Sequence, residues 1–252
     1  MMRKVVTATV LIVLYFWQLT FGCQQAWNGG GTGAWYRVDT SCDYSFTSTY
    51  IIYCLPTVQL TCTTDGFYVS LGVYNRLNGV GLDVGLTYDW KMSRWSSYAN
   101  DNLGWKSGSI LIDPLINTCY NVSLNLIDGN VHYEIRREND STPIGHDIFD
   151  RSQIDPLLNL TVNSSNFGFY RFDSIAQAKE TLKSGSQMSH SVVKQWIFQF
   201  FSGEIISADQ VHIASNVRGY APGPCCTANE IDTIKIHQQT KWNQSNISIF
   251  YF

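Results

Sequence analysis

GVGLDVGLTY, residues 79–88, decides the fold. Val80, Leu82, Val84, Leu86 and Tyr88 alternate with Gly79, Gly81, Asp83, Gly85 and Thr87. A period of two makes one side apolar and the other nearly bare glycine. Three glycines and three β-branched residues in ten positions rule out a helix. The stretch predicts a β-strand with its apolar side on a core. Its glycine side admits another backbone, an aromatic ring or a ligand at close range.

The flanks continue the pattern. Phe67, Val69, Leu71 and Val73 alternate with Tyr68, Ser70, Gly72 and Tyr74, and Asn78-Gly79 reads as the turn into the central strand. Trp90–Arg94 turns the chain again toward a strand near Trp95–Tyr98, so residues 67–98 predict a β-meander. Residues 99–109 read as loop. From Thr118 to Ile127, Thr118, Tyr120, Val122, Leu124 and Leu126 share one side. Cys119, Asn121, Ser123 and Asn125 share the other, and Asp128-Gly129 predicts a hairpin into Val131–Arg137. Residues 138–165 read as an acidic irregular loop. Phe167–Arg171 opens another strand. Ser174-Ile-Ala-Gln177 matches a capping box and predicts one short helix before Gly185. Val192–Phe201 is a long strand with Trp196, Phe198 and Phe200 on one side. Further strand-like runs are Tyr50–Cys54, Val58–Cys62, Gln210–Ala214, Ile231–His237 and Ile247–Phe252. The expectation is an all-β protein: an antiparallel β-sandwich of jelly-roll, concanavalin-like type with at most one short helix.

The N-terminus carries an address. Arg3 and Lys4 precede an apolar run from Val5 to Leu19, and Thr20 and Gly22 suit a signal-peptidase site before Cys23. An uncleaved signal anchor is the competing reading. The expected organisation is a signal peptide at 1–22, a disulfide-rich segment at 23–66 packed on the sandwich, and the sandwich itself at 67–252, in a secreted, extracellular protein. Loss of residues 1–22 moves the formal net charge from −3 to −5, because only Arg3 and Lys4 are charged there. That acidity argues against nucleic acid or an anionic membrane as partner. No later apolar run is long enough to span a membrane.

Seven cysteines, Cys23, Cys42, Cys54, Cys62, Cys119, Cys225 and Cys226, predict disulfides with one thiol left over. No pairing follows from spacing. Cys225-Cys226 can join two partners or form a vicinal bridge. No Cys-x-x-Cys is present, and neither metal nor cofactor is expected. Sequons at Asn121, Asn139, Asn159, Asn163, Asn243 and Asn246 are candidate glycosylation sites.

The order GLDVGLTYDWKMSRW, a hairpin, YRFDSIAQ, and SGSQ before a Val-Val-Lys-Gln-Trp strand resembles the secreted bacterial YrpD-like proteins. Leu82–Tyr88, Arg171–Gln177 and Trp196 carry the resemblance, within residues 67–215. It implies a secreted β-sandwich and no catalytic residue. The cysteine-rich N-terminus and Cys225-Cys226 lie outside the pattern.

Three functional readings follow. Trp90, Trp95, Tyr98 and Trp105, with Asp83 among the glycines, form a candidate glycan-binding or surface-interaction face, since rings stack on sugar CH faces. Partners are then glycans or other extracellular surface components. The competing reading makes these rings a cover for the glycine side. Glu230-Ile231-Asp232 matches the opening of the Glu-x-Asp-x-x-Glu strand of sandwich-fold glycosidases, but the third acid is missing. A polysaccharide hydrolase on this fold needs two carboxylates across a cleft. The third reading is a purely structural extracellular protein, so an enzyme is the less favoured expectation. Glu138, Asp140, Asp147, Asp150 and Asp155, with His146, lack calcium-loop spacing and read as a solvated loop.

Overall fold

The computed structural model describes residues 32–40, 46–61, 65–75, 77–113, 118–160, 167–177, 186–211, 213–221, 234–241 and 244–250. The expected signal segment, Cys23, Cys42, Cys62, Cys225, Cys226, Asn163, Asn243 and the Glu230/Asp232 pair lie outside these residues.

The described residues form sixteen strands and three single turns of 3₁₀ helix. In chain order the strands are β1 (Thr32–Thr40), β2 (Phe46–Cys54), β3 (Thr57–Gln59), β4 (Gly66–Asn75), β5 (Gly81–Asp89), β6 (Arg94–Asp101), β7 (Gly104–Ile112) and β8 (Cys119–Ile127). They continue with β9 (Asn130–Arg137), β10 (Pro143–Phe149), β11 (Phe167–Gln177), β12 (Gln187–Phe200), β13 (Ile205–Ser207), β14 (Ile213–Ala221), β15 (Ile234–Lys241) and β16 (Gln244–Phe250). They make two antiparallel sheets. The seven-stranded sheet runs β14-β1-β11-β4-β5-β6-β7. The nine-stranded sheet runs β10-β9-β8-β2-β12-β16-β15, with β3 and β13 also paired to β12. The chain is therefore a two-layer sandwich, and the central stretch is β5, with Leu82, Val84 and Leu86 buried between the sheets.

The alternation works as steric chemistry predicts. The meander β4-β5-β6 pairs strand to strand, Val69 with Leu86 and Val84 with Ala99. Asp128 and Gly129, both at positive φ, turn β8 into β9. On the glycine side of β4 and β5, rings take the space. Tyr170 lies where a Cβ on Gly72 would go, and Tyr98 pairs with Gly85, whose own Cβ would meet the β4 backbone. Facing Leu82 and Leu86 from the other layer are Ile51, Val122, Leu124, Tyr133, Trp196 and Phe198, all part of one core.

Five expectations are corrected. The segment expected to pack on the sandwich instead supplies strands of it: β1 lies between β14 and β11, and β2 lies between β8 and β12, so the described part before residue 67 contributes interior strands to both sheets. Residues 99–109 complete β6 and most of β7, joined by a tight turn in which Gly104 has φ +104°. Within 138–165 a strand, β10, pairs with β9. Ser174–Gln177 finishes β11 instead of starting a helix, because Ser174 and Ile175 are held by Tyr68 and Phe67 on one side and by Trp35 and Ala34 on the other. Residues 178–185 lie outside the described ones. Finally, Asp209 and Gln210 belong to a 3₁₀ turn before β14.

Polar groups occur inside the sandwich. Arg171 and Asp173 sit on the inner side of β11. Asp173 accepts hydrogen bonds from Tyr53 Oη and Ser191 Oγ, both 2.6 Å. Arg171 donates to Ser245 Oγ at 2.7 Å, and its guanidinium lies over Tyr36 and Trp196. Burial is the main cause that raises Asp173 above the usual carboxylate range, against the pull of Arg171.

Candidate functional site

The expected aromatic face is split by the sheet. Odd-numbered residues of β6 point inward and even-numbered ones outward, so Trp95 and Tyr98, three apart, lie on opposite sides. Trp95 is 0% exposed and packs in the core against Tyr88. Its ring has no access to a sugar, which corrects its place among the candidates. Tyr98 points outward but is only 3% exposed, covered by Trp105 stacked on it at 4.3 Å and by the edge of Tyr68. Trp105 is 48% exposed. Trp90, 42% exposed, stands in the β5–β6 turn. Asp83 is used within the protein: Tyr170 Oη donates to it, and Arg37 stacks on Tyr170 at 3.8 Å. Burial raises the pKa of Asp83, while Tyr170 and Arg37 oppose the rise. The four aromatic candidates and Asp83 therefore do not converge on one accessible site. Tyr98, Trp105 and Asp83 share the outer side of the seven-stranded sheet, Trp95 is inside, and Trp90 is in a turn.

The carboxylates of the 138–155 region each have a partner in the protein. Glu138 pairs with Lys194 at 2.6 Å. Asp140 and Asp150 accept from the backbone amides of Thr142 and Ser152. Asp155 caps Leu157 and accepts from Asn102. Asp147 is buried and accepts from Ser97 on β6 and Ser109 on β7. No group of three or more metal-ligating side chains is present among the described residues.

The concave feature with the most chemistry lies elsewhere, on the outer side of the nine-stranded sheet. A groove of about 320 Å³ is lined by Tyr50 and Ile52 of β2, Asn121 and Ser123 of β8, Glu134 and Arg136 of β9, and Gln195 and Ile197 of β12. Antiparallel register sets these side chains in rows. Glu134, Ser123, Tyr50 and Ile197 form one row across four strands, and Arg136, Asn121, Ile52 and Gln195 form the next. Neighbouring strands are about 4.8 Å apart, so each row spans roughly 14 Å. Two residues along β2 and β8 from Ile52 and Asn121, the Cys54–Cys119 disulfide joins these strands, and Lys194 pairs with Glu138.

Within the groove, Glu134 is ion-paired with Arg136, whose guanidinium also donates to the Ser141 carbonyl at 3.0 Å. The carboxylate holds the guanidinium above its ordinary pKa. Ser123 accepts from Asn125, which leaves its own hydrogen to donate. Asn121 donates to the Glu138 carbonyl at 3.2 Å. Asn121 is also a candidate sequon, and a glycan there would fill the groove. Just outside it, His132 stands beside His146, and burial together with that neighbour holds His132 below the usual imidazole range.

Apart from Asn121, a candidate sequon, no residue of this groove stands out in the sequence. Asn121, Ser123, Glu134 and Arg136 do fall on the polar side of the alternating β8–β9 hairpin, and that signal was present. What the pattern lacks is the order β9-β8-β2-β12, which brings together residues more than 140 positions apart.

No protein-family model matches the chain, and no curated protein matches it. Solved structures similar to it include three peptidase structures. One is scytalido-glutamic peptidase with a peptide-based transition state analog, with TM-score 0.53, 8% identity, and 86% of this chain and 98% of that chain covered. A second structure of scytalido-glutamic peptidase, with a transition state analog inhibitor, has TM-score 0.47 and 10% identity over 87% and 98%. The third is SCP-B, a member of the eqolisin family of peptidases, in complex with the tripeptide Ala-Ile-His, with TM-score 0.45 and 12% identity over 89% and 99%. At 8% identity the first of these likenesses shows a shared β-rich sandwich fold.

Proposed function

We propose that the chain is a hydrolase that acts on extended polypeptide laid across the outer side of its nine-stranded sheet, with Glu134 as the acid–base group. The observation that carries this reading is the placement of one carboxylate, Glu134, beside one guanidinium, Arg136, in a 320 Å³ groove otherwise lined by amides, hydroxyls and apolar groups. A peptide needs such neighbours: backbone donors and acceptors meet Asn121 and Gln195, and side chains meet Ile52, Tyr50 and Ile197. The similarity in fold to a peptidase bound to a peptide-based analog favours polypeptide over polysaccharide. A two-carboxylate glycosidase lacks its second acid, since Glu134 is the one acidic residue among the described residues lining the groove. The signal segment and the Cys54–Cys119 bond support action outside the cell.

The chemistry follows from the neighbours. Glu134, ion-paired with Arg136, is placed to accept a proton from water. The water oxygen bonds to the scissile carbonyl carbon. Ser123, directly across from Glu134, and the Arg136 guanidinium are the donors for the oxygen that gains charge. Glu134 then returns the proton to the leaving nitrogen as the C–N bond breaks.

The test is cleavage of an unfolded polypeptide such as reduced casein, followed by mass spectrometry from acidic to neutral pH. Glu134→Gln, an isostere, is expected to lower the rate about 10²–10⁴-fold with unchanged circular dichroism. No cleavage by the natural chain at any pH, or equal cleavage by the variant, overturns the reading.

A second reading keeps a glycan contact at Trp105, because that ring is 48% exposed on the rigid support of Tyr98. Trp105→Ala should abolish retention on an immobilised polysaccharide that holds the natural chain. Retention equal in both, or absent in both, removes it.

A further inference from the structure

His132 and His146 have no part in the chemistry above, yet they are placed with care. Their strands, β9 and β10, are antiparallel neighbours, with His146 opposite Glu134 and His132 opposite Ile148. The two rings meet on the diagonal between these pairs, on the outer side of the sheet. Nδ1 of His132 lies 3.2 Å from Nε2 of His146, with ring centroids 5.2 Å apart and planes 29° from parallel.

Two ring nitrogens this close share either a proton or a cation. Zinc–imidazole bonds are about 2.0–2.1 Å, so two of them at a tetrahedral angle hold their nitrogens roughly 3.3–3.4 Å apart. At the right angle of an octahedral ion the separation is about 2.9 Å. The observed 3.2 Å falls between these two geometries. The backbone beneath is fixed from both sides. β9 pairs with both β8 and β10, and β10 is tied to β7 of the other sheet through Asp147, adjacent to His146. Capture of an ion therefore requires small ring rotations and no strand movement.

We infer that His132 and His146 form a two-imidazole site for a divalent transition ion such as Zn²⁺, open to solvent beside the groove. No third Cys, His, Asp or Glu completes a cluster among the described residues, so water fills the other coordination positions. This inference does not rest on the hydrolase reading.

The test is calorimetric titration of the tag-free, folded chain with Zn²⁺ near neutral pH. One ion per chain is expected. His132→Ala and His146→Ala should each weaken binding at least tenfold, while His190→Ala, far along β12, leaves it unchanged. Because His146 is exposed, His146→Ala serves alone if the His132 variant folds poorly. Glu134→Gln should bind Zn²⁺ as the natural chain does, which separates this outcome from any loss of hydrolysis. Absence of Zn²⁺ uptake by the natural chain overturns the inference, as does equal binding by the His146 variant; the pair then shares a proton only.

Discussion

Asp173 is a carboxyl group enclosed between two sheets, and its protonation is written into stability. Burial raises its pKa above that of the unfolded chain. Its favourable contribution is therefore complete below the ordinary carboxylate pKa and is lost as pH rises through the native value. Asp173→Asn keeps an oxygen that can accept from Tyr53 and Ser191 but does not titrate. Urea unfolding at about pH 3 and about pH 7 should show the natural chain losing stability relative to this variant as pH rises. A difference that does not change with pH would refute it. Arg171 beside it could be placed on a strand from sequence, but its inward direction could not. A charged pair at alternating positions reads as a solvent side, and here the parity of Phe167, Phe169 and Ile175 overrides charge. Trp95 shows the opposite lapse: its parity was legible three residues from Tyr98, and it was grouped by ring chemistry instead of by side of the strand.

At the scale of elements, strands with ordinary patterning were legible. β4, β5, β8, β9 and β12 each put apolar residues on alternate positions, and two of their turns carry Asn-Gly or Asp-Gly. β10 was not legible because its pattern is inverted. Asp147 points inward while Ile144 and Ile148 are exposed. The inversion has a reason: β10 is an edge strand, and Asp147 reaches β7, the edge of the other sheet. Its carboxylate accepts from Ser109 N at 2.8 Å and Ser109 Oγ at 2.5 Å, and also from Ser97. β7 itself, with two glycines and two serines in nine residues, hid behind loop composition for the same reason. Asp147→Ala leaves buried Ser97 and the part-buried Ser109 without this acceptor and should cost about 2 kcal/mol in chemical denaturation. Amide exchange should accelerate in β7 and β10 before β4 and β5. A uniform change across all strands would contradict this role for the edge.

The whole molecule joins its two ends through the middle. β1 pairs with β11 and β14, and β2 pairs with β8 and β12. The groove inherits this arrangement, since β2 is one of the four strands of its floor and no local pattern could have revealed it. Sheet membership also leaves the resemblance motifs in separate places: Leu82–Tyr88 and Arg171–Gln177 lie in one sheet and Trp196 in the other. There is a cost in time. A ribosome that has finished β1 and β2 must add well over a hundred residues before β11 and β12 emerge. Non-local pairings of this kind slow folding and lengthen the interval in which strand edges lie bare. β1 and β3 thus wait longest for a first neighbour, and protection of a nascent segment is built into the demands of this topology.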